Sequence, residues 1–480
     1  FCGTTSLFCG DGCIDGCTKV KQPSGKSTSA RAKTIGYYES WSYARSCDSV
    51  APEDINPTMW THINYAFALI NPSNFKIANM NQYDDLLYPK VIGLKLQAPG
   101  LKVFIVVGGW DAGGKVFSDM VSTTSNRKAF IDSTIQFCKT HGFNGIDIDR
   151  EYPVASDRGA SKSDFSNFAT LMKELKSAAG KLGVSPRLPS SYWYLKGFDI
   201  VNLEPNVHWS NFMSYGIYGT WDGNNPFTQA VVNPHTSITE ISAGLDLLWR
   251  RNNIPSGKGV LGLGLYALSF TLNDPSCKKP ACAFASGAKP GECTYTSGVL
   301  SNAEIQRIID KKKLTLVFDQ KAGVKWVVWD NDQWVSYDDA DAFKIKMDWT
   351  NKLSLGGVSE FYHAFIDATL NYLHQDSGMV TGSGQSRLSI GAVSQLGGGD
   401  MADTNGFSRQ KMVADSKQAY TGKLAYWTPC MSEKQRKDTG CPLDTTRFLS
   451  VTGRRLIPKR LNNPQVVTAR IIDCSALITN

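Results

Sequence analysis

A closed (β/α)8 barrel of the α/β class is predicted by three features of this 480-residue sequence. From Lys33 to about Leu373, short apolar runs alternate with amphipathic stretches, the pattern of β/α units on a parallel sheet. Eight such runs occur in that interval, enough to close the sheet on itself. A Gly- and Cys-rich stretch precedes it, and a second Cys cluster interrupts it late. These add a small disulfide-rich segment in front and an α+β insertion near the end.

Residues 1–18 contain Cys2, Cys9, Cys13 and Cys17 among glycines and cannot fold around an apolar core, so they read as a disulfide-stapled fragment displaying Phe1 and Phe8. Residues 19–32 form a polar linker. The eight strands are predicted at Thr34–Tyr38, His62–Leu69, Lys102–Val107, Gly145–Asp149, Arg187–Pro189, Asn211–Tyr215, Gly259–Tyr266 and Gly357–Tyr362. Helices fit Ser125–His141, where Ala129, Phe130, Ile135 and Phe137 recur, and Ser163–Leu182. The seventh interval is long. Residues 270–350 hold Cys277, Cys282 and Cys293 and strand-like runs at Leu314–Phe318, Trp326–Trp329 and Gln333–Ser336, hence an insertion walling one side of a cleft. The barrel domain is drawn at 33–375, a Gly/Ser-rich linker at 376–405 and a C-terminal segment of unassigned role at 406–480.

Composition narrows the class. The net charge of +8 is spread thinly, with short basic runs at Lys434–Lys437 and Arg454–Arg455, and no nucleic-acid-binding motif is present. No apolar run reaches the length of a membrane span. No leader pattern opens the chain, which predicts a mature or trimmed form. The 12 cysteines are better explained as bridges in an oxidising compartment than as metal ligands, because none of the six His lies near the clusters. Cys47 and Cys138 are either two buried thiols or a bridge. No metal and no organic cofactor are expected, and the sequence leaves oligomeric state open.

The chemistry concentrates in Asn144–Pro153. Asp147, Asp149 and Glu151 alternate with Ile148 and Arg150, so a β-strand turns all three carboxylates to one face. The bland alternative is one solvated face. Carboxylates this close resist joint ionisation, so at least one holds its proton near neutral pH, the property of a general acid. Arg150 points to the opposite face, toward the helices, where a guanidinium needs an answering carboxylate. Trp110, Trp193 and Trp221 are candidate stacking platforms for sugar rings, with core packing the alternative for Trp221. His363 is either near the site or a structural histidine.

Several pieces in order resemble glycoside hydrolase family 18, in particular large fungal chitinases with N-terminal chitin-binding modules. They are Gly36-Tyr37-Tyr38-Glu39-Ser40-Trp41, His62-Ile63-Asn64-Tyr65-Ala66-Phe67-Ala68, Gly108-Gly109-Trp110, the acidic stretch, Leu188-Pro189-Ser190-Ser191-Tyr192-Trp193, Met213-Ser214-Tyr215 and Trp334-Val335-Ser336-Tyr337-Asp338-Asp339. Residues 1–17 resemble the second half of a hevein-type chitin-binding module. That likeness implies a Cys13–Cys17 bridge and sugar stacking on Phe1 and Phe8. The family resemblance implies a TIM barrel and a retaining hydrolysis without an enzymic nucleophile. Glu151 would protonate the glycosidic oxygen and the substrate's N-acetyl oxygen would attack the anomeric carbon, giving an oxazolinium intermediate. Asp149 would orient the acetamido nitrogen, Asp147 would share a proton with Asp149, and Tyr215 would bond the acetamido carbonyl. Tyr38, Trp110, Trp193, Met213 and Phe361 would line the substrate site.

Departures from the family pattern cluster near that site: Asn144 for Asp, Arg150 for Trp, Gly216 for Asp, Ala267-Leu268 for Gly-Arg, and Phe361-Tyr362-His363 where a Trp floors the sugar. The resulting expectation is a secreted, extracellular or cell-wall-associated protein that binds chitin or chitooligosaccharides with hydrolysis impaired or lost. An active chitinase with Glu151 as general acid is the alternative, and a toxin subunit docking on chitin a weaker third.

Overall fold

The computed structural model describes residue 23, residues 29–224, 228–252 and 254–361, and a hairpin within 448–459. The chain divides into two units, Phe1–Ser377 and Gly378–Asn480. In the first, eight parallel strands close a barrel. They are β1 Thr34–Glu39, β2 His62–Ile70, β3 Lys102–Gly108, β4 Gly145–Asp149, β5 Gly183–Pro189, β6 Ser210–Met213, β7 Gly259–Gly264 and β8 Gly357–Phe361. Each pairs with the next in parallel, and β8 returns to β1 with Thr34 opposite Val358, so no edge is left.

All eight sequence-predicted strands are present, with ends shifted. The fifth begins at Gly183, four residues before the predicted Arg187. The sixth ends at Met213 rather than Tyr215, and the seventh at Gly264 rather than Tyr266. Helix α1 (Thr124–His141), the first helix predicted from periodicity, is fixed at both ends. The Thr123 side chain accepts from the Asn126 N–H, and Gly142 closes the helix in the left-handed region at φ 83°.

Alternation along the strands makes two apolar layers. Ile35, Tyr37, Ala66, Phe67, Phe104, Val106, Trp209 and Val260 pack together as one cluster inside the barrel. The opposite faces, among them Ile63, Tyr65, Ile105, Ile146 and Ile148, pack with helix residues such as Phe117, Phe130 and Leu171. Strands β1, β2, β3 and β7 each contribute residues to both clusters, as a pleat requires.

The insertion is an antiparallel sheet of Tyr266–Leu272, Phe284–Gly287, Val299–Ser301, Val317–Asp319, Val324–Trp329 and Gln333–Tyr337, with one helix at Asn302–Lys312. It starts at Tyr266 rather than 270, and the helix Ala340–Lys352 after it returns the chain to the barrel. The insertion helix starts on a capping box of Ser301 and Glu304. Cys47, after β1, bridges to Cys293 in the insertion, and Cys277 bridges to Cys282. Cys138 is a free, buried thiol, so a Cys47–Cys138 bridge is ruled out.

In the second unit, strands Phe448–Thr452 and Arg455–Lys459 pair antiparallel. The N-terminal segment with Phe1, Phe8 and Cys13–Cys17, the linker at 376–405, Tyr362 and His363 lie outside the described residues.

Candidate active site

The acidic strand β4 is flanked by β3 and β5, and the residues at its end meet those of its neighbours at the C-terminal mouth of the barrel. Asp147 and Asp149 are both fully buried, and Glu151, just past the strand end, is half-buried. Gly108, opposite Asp149 in the register, has φ 122°, and a Cβ there would meet the Asp149 carbonyl oxygen at 2.1 Å. Glycine is what lets β3 pass this close.

Asp147 is answered from four sides. Ser185 Oγ and Asn211 Nδ2 donate to Oδ1 at 2.6 and 3.0 Å, and Tyr37 Oη and Asn64 Nδ2 donate to Oδ2 at 2.7 and 3.4 Å. Burial pushes its carboxyl up, and the Ser185 bond, the Arg187 charge and the Tyr37 and Asn211 bonds pull it back.

Asp149 has a different environment. Arg187 Nη1 donates to its Oδ2 at 2.6 Å, both side chains being buried, while Oδ1 has no hydrogen-bond partner among the described residues. Burial pushes Asp149 well above the usual carboxylate range, the Arg187 guanidinium pulls it back, and Glu151 and Asp147 add to the push. Arg187 Nη2 also donates to Tyr215 Oη, and the guanidinium lies 4.9 Å from the centre of the Tyr37 ring.

Glu151 is raised by burial, against the pull of Arg187, a hydrogen bond with Tyr152 and the charge of Arg158. Its proton therefore persists above the ordinary glutamate range, as a general acid requires. Arg158 braces this turn: Nε donates to the Glu151 carbonyl at 3.2 Å, Nη2 donates to the Trp110 carbonyl, and the guanidinium stacks 3.6 Å from the Trp110 ring centre.

Exposed aromatics ring the mouth. Trp110 follows β3, Trp193 follows β5 and Trp221 follows β6, at 52%, 62% and 53% exposure. An indole open to water beyond each of β3, β5 and β6 is a platform for an amphipathic ring. Met213 ends β6 and is buried, its carbonyl accepting from Ser190 Oγ at 2.6 Å. Phe361 ends β8.

Tyr38 is not brought to the cleft. It faces the outer layer, 2% exposed, its hydroxyl on the Val50 carbonyl and its ring near Tyr65. Its neighbour Tyr37 faces inward and takes the place expected for Tyr38. Adjacent tyrosines on a strand must face opposite ways, and the sequence does not fix which of the two faces in.

Sequence reasoning also missed Arg187, Ser185, Asn211, Asn64 and Arg158. One signal was available for Arg187: a lone cation in an apolar stretch, beside a strand bearing two buried acids.

The departures acquire structural reasons. Arg150 is buried and paired with Asp164 Oδ2 at 2.8 Å, so a carboxylate does answer it. Asn144 Oδ1 accepts from the Val103 N–H at 3.0 Å. Gly216 stands at φ 64°, where a Cβ would lie 3.3 Å from Tyr266 Oη, so an aspartate there would be strained. Leu268 packs in the apolar cluster of the insertion with Phe270 and Trp334.

Residues 33–363 match the Glycosyl hydrolases family 18 profile. The chain belongs to that family of barrel hydrolases. Among individual relatives, "Secreted chitinase LysM12" of Penicillium expansum is 28% identical over 488 residues, covering 92% of this chain but 30% of the Penicillium protein. Mouse Chitotriosidase-1 is 30% identical over 342 residues, covering 68% of this chain and 72% of its own length. Catalytic domain 2 of the Ostrinia furnacalis Group II chitinase, solved as a mutant in complex with a chitooligosaccharide, superposes with a TM-score of 0.64 at 26% identity, covering 71% of this chain and 92% of that domain.

Among the described residues, no helix is long and apolar enough to cross a membrane, and no cluster of His, Cys, Asp and Glu could hold a metal ion.

Proposed function

We propose that this protein binds chitin or chitooligosaccharides in the barrel cleft and hydrolyses them poorly or not at all. The observation that carries this reading is the contrast between the rim and the floor. Three exposed tryptophans stand ready for sugar rings, whereas Asp149 and Tyr215 on the floor are already held by Arg187. The acid itself is intact: Glu151 sits half-buried at the mouth with a raised pKa. A site with platforms and an acid but preoccupied acetamido partners suits capture better than turnover.

Its ligand is an N-acetylglucosamine oligomer, the class bound by the solved Ostrinia domain. A chitin-binding role for residues 1–18 belongs to the same proposal, as do secretion and residence near chitin-containing walls. The Penicillium relative carries "secreted" in its name. No metal or organic cofactor is needed for any step.

Pulldown on insoluble chitin, with titration of chitotetraose followed by tryptophan fluorescence, tests the reading. Trp110→Ala and Trp193→Ala should each weaken binding roughly fivefold, about 1 kcal/mol of stacking. No binding by the unaltered protein contradicts it.

A further inference from the structure

Arg187 occupies a peculiar position for a cation. It lies on β5 between Leu188 and Pro186, 2% exposed, beside the Asp147 and Asp149 carboxylates and the Tyr37, Ser185 and Asn211 groups that answer Asp147. Two of its nitrogens donate, one to Asp149 Oδ2 at 2.6 Å and the other to Tyr215 Oη. A planar guanidinium offers Asp149 the same kind of N–H that an acetamido group would offer.

Consider the step that hydrolysis by this site would require. Glu151 gives its proton to the glycosidic oxygen as the bond from that oxygen to the anomeric carbon breaks. The acetamido carbonyl oxygen bonds to the anomeric carbon, leaving a cationic oxazolinium. Water then attacks that carbon, its proton returns to Glu151, and the acetamido group is restored. The sugar is neutral when it binds and positively charged at the barrier. A fixed cation against Asp149 therefore disfavours the barrier state far more than the bound sugar. Asp149 keeps Oδ1 without a partner among the described residues, so a floor acceptor remains for a neutral ligand's N–H.

We propose that Arg187 is a built-in brake on hydrolysis, a positioning residue that engages Asp149 and Tyr215 and sets a positive charge where the reaction develops its own. This rests on the reading of the cleft as a chitooligosaccharide site. It adds that the remaining machinery is competent, so removing one side chain releases turnover while leaving capture in place.

The test compares the full chain with Arg187→Met, Arg187→Ala and Arg187→Lys, measuring chitotetraose affinity and hydrolysis of a fluorogenic chitotrioside across pH. Met retains much of the bulk and removes the charge, and should raise kcat by at least about tenfold, a modest share of what one preorganised group supplies. Affinity should change by less than about threefold, and Ala should behave alike. Arg187→Lys, keeping a cation, should stay slow. Because the guanidinium pulls Glu151 down, its loss should move the alkaline limb of kcat/KM to higher pH, which repacking alone would not do.

If Arg187→Met and Arg187→Ala bind chitotetraose and hydrolyse no faster than the unaltered protein, the brake is overturned while the binding reading stands. Loss of binding in both also counts against it, since Arg187 is assigned no part in holding a neutral sugar. A fast Arg187→Lys overturns the role of charge. Failure of the unaltered protein to bind overturns both readings together.

Discussion

Glu151 and its neighbours show how one residue's environment sets its chemistry. Asp147, with four donors on its two oxygens, is a fixed hydrogen-bond acceptor of the barrel floor. Asp149, two residues on, has a guanidinium on one oxygen and, among the described residues, no partner on the other. Glu151 keeps solvent contact and a raised pKa. Any hydrolysis that survives should decline on its alkaline side above the ordinary glutamate range near 4.3. Adding Glu151→Gln to Arg187→Met should remove the released hydrolysis, a fall of about tenfold or more, while oligosaccharide binding persists. A pH–rate profile of the unaltered protein checks the first expectation and paired titrations the second. At this scale the sequence was partly legible. Spacing alone brought out Asp147, Asp149 and Glu151, because a two-residue period is a property of any strand. Arg187 escaped because its strand was predicted to begin on it, which made it an edge residue instead of an interior one.

Elements explain why the departures are tolerated. β4 sends Arg150 into the layer between barrel and helices, and α2 (Asp164–Ala178) meets it with its first residue. Asp164 also accepts from Ser118 Oγ at 2.8 Å, and Arg150 lies over the Phe117 ring at 5.3 Å. The pair is buried at 1% exposure on both sides, so breaking it leaves a stranded charge. Asp164→Ala should cost about 3–5 kcal/mol in denaturant unfolding, and adding Arg150→Met should recover most of it. A second element-level device is His235, whose Nδ1 accepts from the Gly216 N–H and whose Nε2 donates to the Tyr266 carbonyl. The Gly216 bond needs the neutral ring, and burial lowers its pKa to about 3. The unfolded chain protonates this histidine near 6.5, so its contribution is complete at pH 7 and is lost as the pH falls below 6.5. The stability advantage of the unaltered protein over His235→Gln should shrink by about 2 kcal/mol between pH 7 and pH 5. An unchanged advantage would mean that the ring is not held neutral. The eight strands themselves were legible because fully buried parallel strands are near-continuous apolar runs. Their ends were not, since the strands stop where hydrogen bonding stops, within sequence that remains apolar.

For the barrel unit as a whole, the bridge between Cys47 and Cys293 joins chain positions 246 residues apart. It ties the segment after β1 to the insertion, beside the ion pairs of Arg307 with Asp48 and Glu292. By loop-closure entropy such a bridge contributes about 3–5 kcal/mol. Cys47→Ser with Cys293→Ser should therefore lower the thermal midpoint by several degrees, and calorimetry of the double variant checks it. The sequence could not have named this bridge. It separates the second Cys cluster from its nearest apparent partners, and disulfide connectivity depends on how the insertion folds back. On the proposed function, this family 18 barrel keeps Glu151 as its acid and a rim of tryptophans while Arg187 engages Asp149 and Tyr215. Its most direct test is hydrolysis of a fluorogenic chitotrioside alongside calorimetric titration of chitotetraose, for the unaltered protein and Glu151→Gln. Saturable binding with turnover little above the Glu151→Gln control is the predicted result. Turnover far above that control, in the protein with Arg187 in place, would contradict it.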